Sequence, residues 1–376
     1  MSKAEWKKVG FEAIVSDCTK LGMKIDQSLY LEEGTYPIID QGKKKIAGYR
    51  NDNIGLFTDL PAIIFGDHTR ILKYIDEPFF LGADGVKLLK IKTNDVDCKY
   101  LYYYLSNQAI PNTGYNRHFK WLKEITINFP VSITSQRHIA ATLDKANELI
   151  ALRKKQLKEL DALVETVFYD MFGDPAKNEK EWDVKRLGDI VNVRSSKRIY
   201  QRELTRKGIP FLRISDFVGK ITGGVDTSEL YISVELYEDL LNKGLVPKEG
   251  DILVTSRGTL GLCYIVSDSD KFYFQDGMIS WLKKSGENFS SIYLSYLFST
   301  NGIKKQIFQI SSGSTVNYLS LENIGDFKIL LPPLALQTRF ATIIEKIEEQ
   351  KTQVCKALQE SEDLFQRLMQ DLFKPD

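Results

Sequence analysis

FPVSITSQRHIAATL spans residues 129–143, and LPPLALQTRFATII spans residues 331–344. Each reads as a strand whose end is marked by proline and which runs straight into an apolar-periodic helix. Aligned without gaps from Gln136 and Gln337 to Phe172 and Phe373, the two stretches share ten identities in 37 positions. Among them are Ala140/Ala341, Lys145/Lys346, Leu157/Leu358, Glu159/Glu360, Leu163/Leu364 and Asp170/Asp371. An internal repeat on this scale sets the architecture of the whole chain.

The apolar pattern repeats more faithfully than the identities. In the first copy, spacings of three and four alternate through Leu143, Ala146, Ile150, Arg153, Leu157, Leu160, Val164, Val167 and Met171, with Arg153 the cationic interruption. That is a heptad seam. The second copy places Ile344, Ile347, Val354, Leu358, Phe365, Leu368 and Leu372 at the equivalent positions, with Lys351 and Ser361 as polar breaks. Each helix is expected to run about 38 residues, roughly 57 Å at 1.5 Å per residue. Matched lengths and matched breaks fit two helices paired with each other, Arg153 and Lys351 fixing the register. The plainer alternative packs each amphipathic helix on its own globular unit.

The repeat extends beyond the helices. EWKKVGFEAIV (5–15) resembles EWDVKRLGDIV (181–191), and a Tyr/Leu-rich helical stretch precedes each long helix, YLYYYLSNQAI (100–110) and YLSYLFSTNGI (293–303). A glycine loop and an alternating strand follow, Gly114 to Phe129 and Gly313 to Leu331. Further strands are expected at PAIIFG (61–66), GVKLLKI (85–91), IPFLRIS (209–215), DILVTS (251–256), LCYIVS (262–267) and ISWLKK (279–284), without regular βαβ spacing. Gly173 and Pro175 in MFGDPAKNEKEW (171–182) stop the first long helix.

The expected fold is therefore α+β. A globular mixed α/β unit covers 1–130, a central spacer helix 131–173, a second mixed α/β unit with a short leading linker 174–331, and a distal helix 332–376. The two helices pair as an antiparallel coiled coil, and the internal repeat gives the molecule a pseudo-two-fold axis.

Composition bounds the function. With 376 residues, 43% hydrophobic and 27% charged, the chain has an ordinary globular balance and room for two or three domains. No apolar run approaches the roughly 18–20 residues that span a bilayer. MSKAEWKKVG lacks the apolar segment of a secretory signal. A cytoplasmic protein with no membrane partner is expected. Cys18, Cys98, Cys263 and Cys355 form no C-x-x-C pair, and His68, His118 and His138 are scattered, so no metal is expected. A net charge of +1, from 51 basic and 50 acidic residues, argues against a uniformly cationic surface but allows a local basic face.

The order of unit, helix, unit and helix, with FPVSITSQ and LPPLALQ leading into the helices and MFGDP ending the first, resembles the specificity (S) subunit of Type I restriction–modification systems. The resemblance covers essentially the whole chain and is strongest in the helices. It implies two target-recognition domains that bind double-stranded DNA. It implies two methyltransferase (M) subunits using S-adenosylmethionine as partners, joined where present by restriction (R) subunits carrying the ATP- and Mg-dependent nuclease. No cofactor is then expected on this chain. Geometry adds an independent argument: heads held apart by a rigid rod form a ruler, able to meet major grooves about one helical turn (34–36 Å) apart. Two heads of different sequence should read two different half-sites.

Phosphate contacts supply affinity and register, and base-edge contacts supply specificity. RSSKRIYQRELTRKGIPFLR (194–213) gathers Arg194, Lys197, Arg198, Arg202, Arg206, Lys207 and Arg213 against one acid, Glu203. In TSRGTLG (255–261) a glycine-flexed turn presents Ser256, Arg257 and Thr259, Arg257 being suited to bidentate guanine readout. The matching turn of the first unit, IIFGDHTR (63–70), offers Asp67, His68, Thr69 and Arg70. QGKKKIAGYRND (41–52) adds Lys43, Lys44, Lys45 and Arg50. GYNRHFKWLK (114–123) adds Asn116, Arg117, His118 and Lys120, opposite Ser314, Thr315, Asn317 and Tyr318 in the second unit. The plainer reading of each charge run is a solvated loop.

No catalytic residue is expected. The chain has no G-x-x-x-x-G-K-[ST] phosphate loop, and Pro332-Pro333 lies in LPPL rather than in an Asn- or Asp-Pro-Pro-aromatic motif. FFLGADG (79–85) reads as a buried strand rather than a cofactor turn. The rival function is a coiled-coil adaptor with two protein-binding heads, which predicts none of the salt-dependent duplex affinity that DNA binding requires.

Overall fold

Both proline exits open into long helices. The structure, a computed structural model, describes residues 5–82, 85–223, 228–284, 286, 289–311 and 318–374. The central helix runs Ile133–Phe172 (40 residues) and the distal helix Leu334–Asp371 (38 residues). One buried glutamine secures each exit. Gln136 accepts from Asp97 N at Oε1 (2.8 Å) and donates from Nε2 to Asp95 O (2.8 Å) and Pro130 O (2.7 Å). Gln337 accepts from Ser290 N (2.9 Å) and donates to Pro332 O (2.8 Å). Asp97 and Ser290 are in turn the N-caps of the helices Cys98–Ser106 and Ser291–Ser299. A buried site that needs a donor and an acceptor on one side chain selects an amide, which accounts for glutamine in both copies.

Contacts gather the chain into two compact units, Met1–Gln156 with Val354–Asp376, and Leu157–Gln353. Each therefore takes part of both long helices. In the first unit an antiparallel sheet has the order Val15–Asp17, Val86–Ile91, Ala62–Gly66, Leu72–Ile75. A smaller sheet has Gly48–Arg50 antiparallel and Phe80–Leu81 parallel to Tyr36–Ile39. Trp6–Gly10 closes on Thr126–Pro130, with Trp6 opposite Pro130.

The second unit repeats this topology. Its antiparallel sheet has the order Asn192–Ser195, Ile279–Lys283, Ile252–Thr255, Cys263–Ile265. Its smaller sheet again holds a parallel pair, Ile209–Leu212 with Tyr273–Phe274, and Asp183–Arg186 closes on Lys328–Leu331. The strand expected over 209–215 is shorter, because Asp216 accepts from Arg213 N (3.0 Å) and starts the helix Ile214–Ile221.

Within each unit the long helices run antiparallel. In the first, Leu143 shares a core with Met369 and Phe373, while Arg153 donates to Ser361 Oγ (2.6 Å) and Lys154 pairs with Glu362 (2.7 Å). In the second, Lys351 meets Asp161 (2.8 Å), and Phe168 and Phe172 lie 5.6 and 5.3 Å from Phe340. Of the expected pairing residues, Leu143, Leu160, Val164, Ile344 and Ile347 are buried, and Ile150, Leu157, Val354, Leu358, Phe365 and Leu368 are half-buried.

The seam drifts at the C-terminal ends of both helices. Phe168, Phe172, Met369 and Phe373 are buried there, whereas Val167, Met171, Leu368 and Leu372 are half-buried. A straight α-helix turns away from a 3.5-residue repeat by about 20° per heptad, and these ends face globular cores. Phe172 packs on Tyr293 (4.7 Å) in the second unit, and Phe373 on Tyr100 (5.3 Å) in the first. Both tyrosine hydroxyls donate to the closing strand, Tyr100 to Asn128 O (2.8 Å) and Tyr293 to Leu330 O (2.9 Å). Among the described residues no helix is long and apolar enough to cross a membrane.

Candidate nucleic-acid interface

In the first unit the buried strand Ala62–Gly66 delivers the turn at Asp67–Arg70. Asp67 is buried beneath it, its Oδ1 accepting from Phe119 N (2.7 Å) and its carbonyl from His118 N (2.8 Å). His118 Nδ1 also donates to Asp67 O (2.9 Å), leaving Nε2 to face Thr113 Oγ1 (3.3 Å). His118 is thus fully buried, which corrects its expected role: it ties the 112–118 loop to the turn and presents nothing to a duplex.

Two arginines are also committed elsewhere. Arg70, at φ 63°, turns back to donate to Ile110 O (3.2 Å). Arg50 is paired with Asp52 and lies over the Phe80 ring at 5.3 Å. The exposed groups are Lys43, Lys44, Lys45, Thr69, Asn116, Arg117 and Lys120, of which Lys45 approaches Glu77 (3.8 Å) and Lys120 lies over the Trp121 ring (4.7 Å). Thr69 Oγ1 donates to Gln41 O (2.6 Å), fastening the turn to the lysine loop.

Sequence reasoning passed over two residues here. Lys73 is buried and donates to Asp40 O (2.7 Å) and Lys44 O (2.6 Å), which orders the loop bearing the three lysines. Burial pulls its ammonium below the ordinary lysine value, and Asp40 works against that shift. Lys73 sits in an alternating strand, and no pattern distinguishes it from solvated lysines. The other is Tyr115, 85% exposed, whose ring stacks on half-buried His68 at 4.5 Å and 6°. Its signal is an aromatic placed directly after the loop glycine, Gly114, among polar residues with no apolar periodicity.

In the second unit the basic run is anchored at its base. Ser196 Oγ donates to Phe274 O (2.9 Å), Lys197 N donates to Tyr273 Oη (2.8 Å), and Glu203 accepts from Tyr200 N (2.8 Å). Burial pushes the Tyr273 phenol up to about 12, so it stays neutral. Four of the seven cations are engaged within the unit, Arg202 by lying over the Tyr200 ring at 5.4 Å. Arg194 lies half-buried over the Trp281 ring (4.7 Å), Arg198 pairs with Asp276 (2.8 Å), and Arg213 with Asp216 (3.3 Å). Lys197, Arg202, Arg206 and Lys207 are exposed and have no carboxylate partner among the described residues.

Ser256, expected on the turn surface, is buried and shares a hydrogen bond with Ser280 Oγ (2.6 Å), so it serves the sheet and is withdrawn from DNA. Its neighbours Arg257 and Thr259 are exposed, and the Arg257 guanidinium lies 5.0 Å from the centre of the Tyr318 ring. Ser314, Thr315 and Asn317 lie outside the described residues. Among the described residues no cluster of three or more His, Cys, Asp or Glu side chains could hold a metal ion. The arrangement offers cations, amides and aromatic faces on loops.

The same sheet order built twice, with a polar turn after the inner strand Ala62–Gly66 or Ile252–Thr255, defines an internally duplicated chain. A family model for the Type I restriction modification DNA specificity domain matches residues 7–162 and 179–361. The chain belongs to this family. It is 30% identical over 282 residues to S.HindORF215P of Haemophilus influenzae, which carries the name of a type I restriction enzyme specificity subunit. That match covers 69% of this chain and 66% of the relative, so this chain spans just under two thirds of it. The EcoR124I/EcoR124II specificity subunit of Escherichia coli is 25% identical over 394 residues, covering 97% of this chain and 92% of that protein. The crystal structure of the Type I S subunit from M. genitalium shares the fold at a TM-score of 0.64 and 18% identity, covering 100% of this chain and 98% of that one.

Proposed function

We propose that this chain is the DNA-reading subunit of a Type I restriction–modification complex. Each globular unit reads one half of a bipartite, asymmetric duplex target. The observation that carries the reading is the repeat itself: one topology built twice, with different residues on the exposed loops of each copy. Both long helices contribute to both units, and 40 residues of helix measure about 60 Å. Exposed Lys43, Lys44, Arg117, Lys197, Arg202, Arg206 and Lys207 neutralise phosphates, while the turn residues face base edges.

The chain itself is non-catalytic in this reading. Methylation with S-adenosylmethionine, and ATP- and Mg-dependent cleavage where restriction subunits are present, belong to partners assembled on this scaffold in the cytoplasm. The test is a genome-wide methylation map of a methylation-free host expressing the chain with its neighbouring methyltransferase, against the methyltransferase alone. One bipartite asymmetric motif, methylated only when this chain is present, is the expected result. A methyltransferase that neither associates with the chain nor needs it to select sites would overturn the proposal in favour of the protein-binding adaptor.

A further inference from the structure

In both units the same two loops are welded together, and in both the weld carries an exposed stack. One loop follows the central strand, Ala62–Gly66 or Ile252–Thr255; the other precedes the closing strand, Thr126–Pro130 or Lys328–Leu331. Their backbones join through His118 N to Asp67 O (2.8 Å) in the first unit and Leu319 N to Ser256 O (3.0 Å) in the second. Beside each backbone bond a side chain of the turn lies against a ring of the later loop. His68 stacks face to face with Tyr115, and Arg257 lies on Tyr318. The sequences of these loops share little, yet the device recurs.

We propose that these paired stacks are the specificity-determining elements of the two units. Tyr115 places its ring at a base step of one half-site, and Arg257 reads a guanine of the other. The inference deepens the DNA-reading function proposed above and rests on it.

Three observations support the assignment. Leaving a tyrosine 85% exposed at a loop tip forgoes the burial that normally holds an aromatic ring, so its free face is available to stack on a base. The tip is held in place, because His68 Nδ1 bonds Asn116 O (3.2 Å), Asn116 Nδ2 donates to Thr113 O, and His68 N donates to Gln41 Oε1 (3.2 Å). Arg257 has no carboxylate partner among the described residues, and a guanidinium lying on a ring keeps its edge free for the O6 and N7 of guanine. Fixed orientation is what separates a base reader from a phosphate-binding lysine. His118 acts through these residues as a positioning group.

The experiment selects duplexes from a randomised double-stranded library with the full chain and sequences the bound pool. Tyr115→Phe keeps the ring and is expected to keep the parent motif. Tyr115→Ala is expected to relax one or two adjacent positions of one half-site by about 10-fold or more, leaving the other half-site untouched. Arg257→Lys keeps the charge and loses the fork, so it relaxes a guanine in the other half-site only. An unchanged motif in Tyr115→Ala and Arg257→Lys overturns the assignment, as does relaxation of both half-sites by either change. If the parent chain selects no motif and binds duplex without salt dependence, DNA reading itself has failed.

Discussion

The glutamine at each helix entrance gives the sharpest test of how the fold is held. Replacing Gln136 by Leu keeps the volume and removes the amide, stranding Asp97 N, Asp95 O and Pro130 O, which now sit 2.7–2.8 Å from it. Each buried group left without a partner costs about 1–3 kcal/mol. Two of the three bonds are only partly buried, which brings the sum to roughly 3–5 kcal/mol. Gln337→Leu strands two groups, Ser290 N and Pro332 O, and should cost roughly 2–3 kcal/mol on the same basis. Native-state hydrogen exchange in urea reads the two units separately, through the amides of Cys98–Ser106 and Ser291–Ser299. Each substitution should lower protection in its own unit, Gln136→Leu the more. If Gln136→Leu costs less than about 1 kcal/mol, or Gln337→Leu costs more than it, the amide does not secure the exit as argued.

Four further outcomes follow from the same contacts. Phe172→Ala should destabilise the second unit and Phe373→Ala the first, each by about 3–5 kcal/mol in hydrogen exchange; equal effects on both units would contradict the packing described. Lys207→Ala should reduce the slope of log affinity against log salt by about 1 without altering the selected motif. Lengthening the central and distal helices together by about one turn should change the unread spacer in a methylation map and leave both half-sites as they were. In the second unit, burial pushes the Asp270 carboxyl up, but bonds from Ser267 N (2.8 Å), Tyr264 Oη (2.8 Å) and Lys220 (3.1 Å) outweigh it and leave it below its ordinary value. Its contribution is therefore present above the unfolded value of about 3.9 and lost as pH falls through the lower folded value, so acid titration of Asp270→Asn should show a shallower loss over that range.

The long helices were legible because their pattern persists over many turns, and because the repeat presented it twice. The drift of the seam onto Phe168 and Phe172 was not, since a heptad count holds its period fixed while the real helix meets a different neighbour at its end. The strand 252–255 is buried on both faces, so alternation could not separate Ser256, which turns into the sheet, from Arg257, which turns out. His118 reads as a loop residue like Asn116 and Arg117; only tertiary closure onto Asp67 distinguishes it. The basic run at 194–213 was visible as charge, but its division into engaged and free cations depends on Tyr200, Trp281, Asp276 and Asp216, two of which lie far along the chain.

The discontinuous make-up of the first unit bears on the order of events at the ribosome. Its core is closed by Met369 and Phe373, which emerge only after the whole second unit has been synthesised. At about 5–20 residues per second, the interval between Gln156 and Val354 is roughly ten to forty seconds. Throughout it Tyr100 and Tyr104 lack their final covering ring, Phe373, while the second unit, Leu157–Gln353, is one continuous stretch of chain. The head that is made first is the last to be finished.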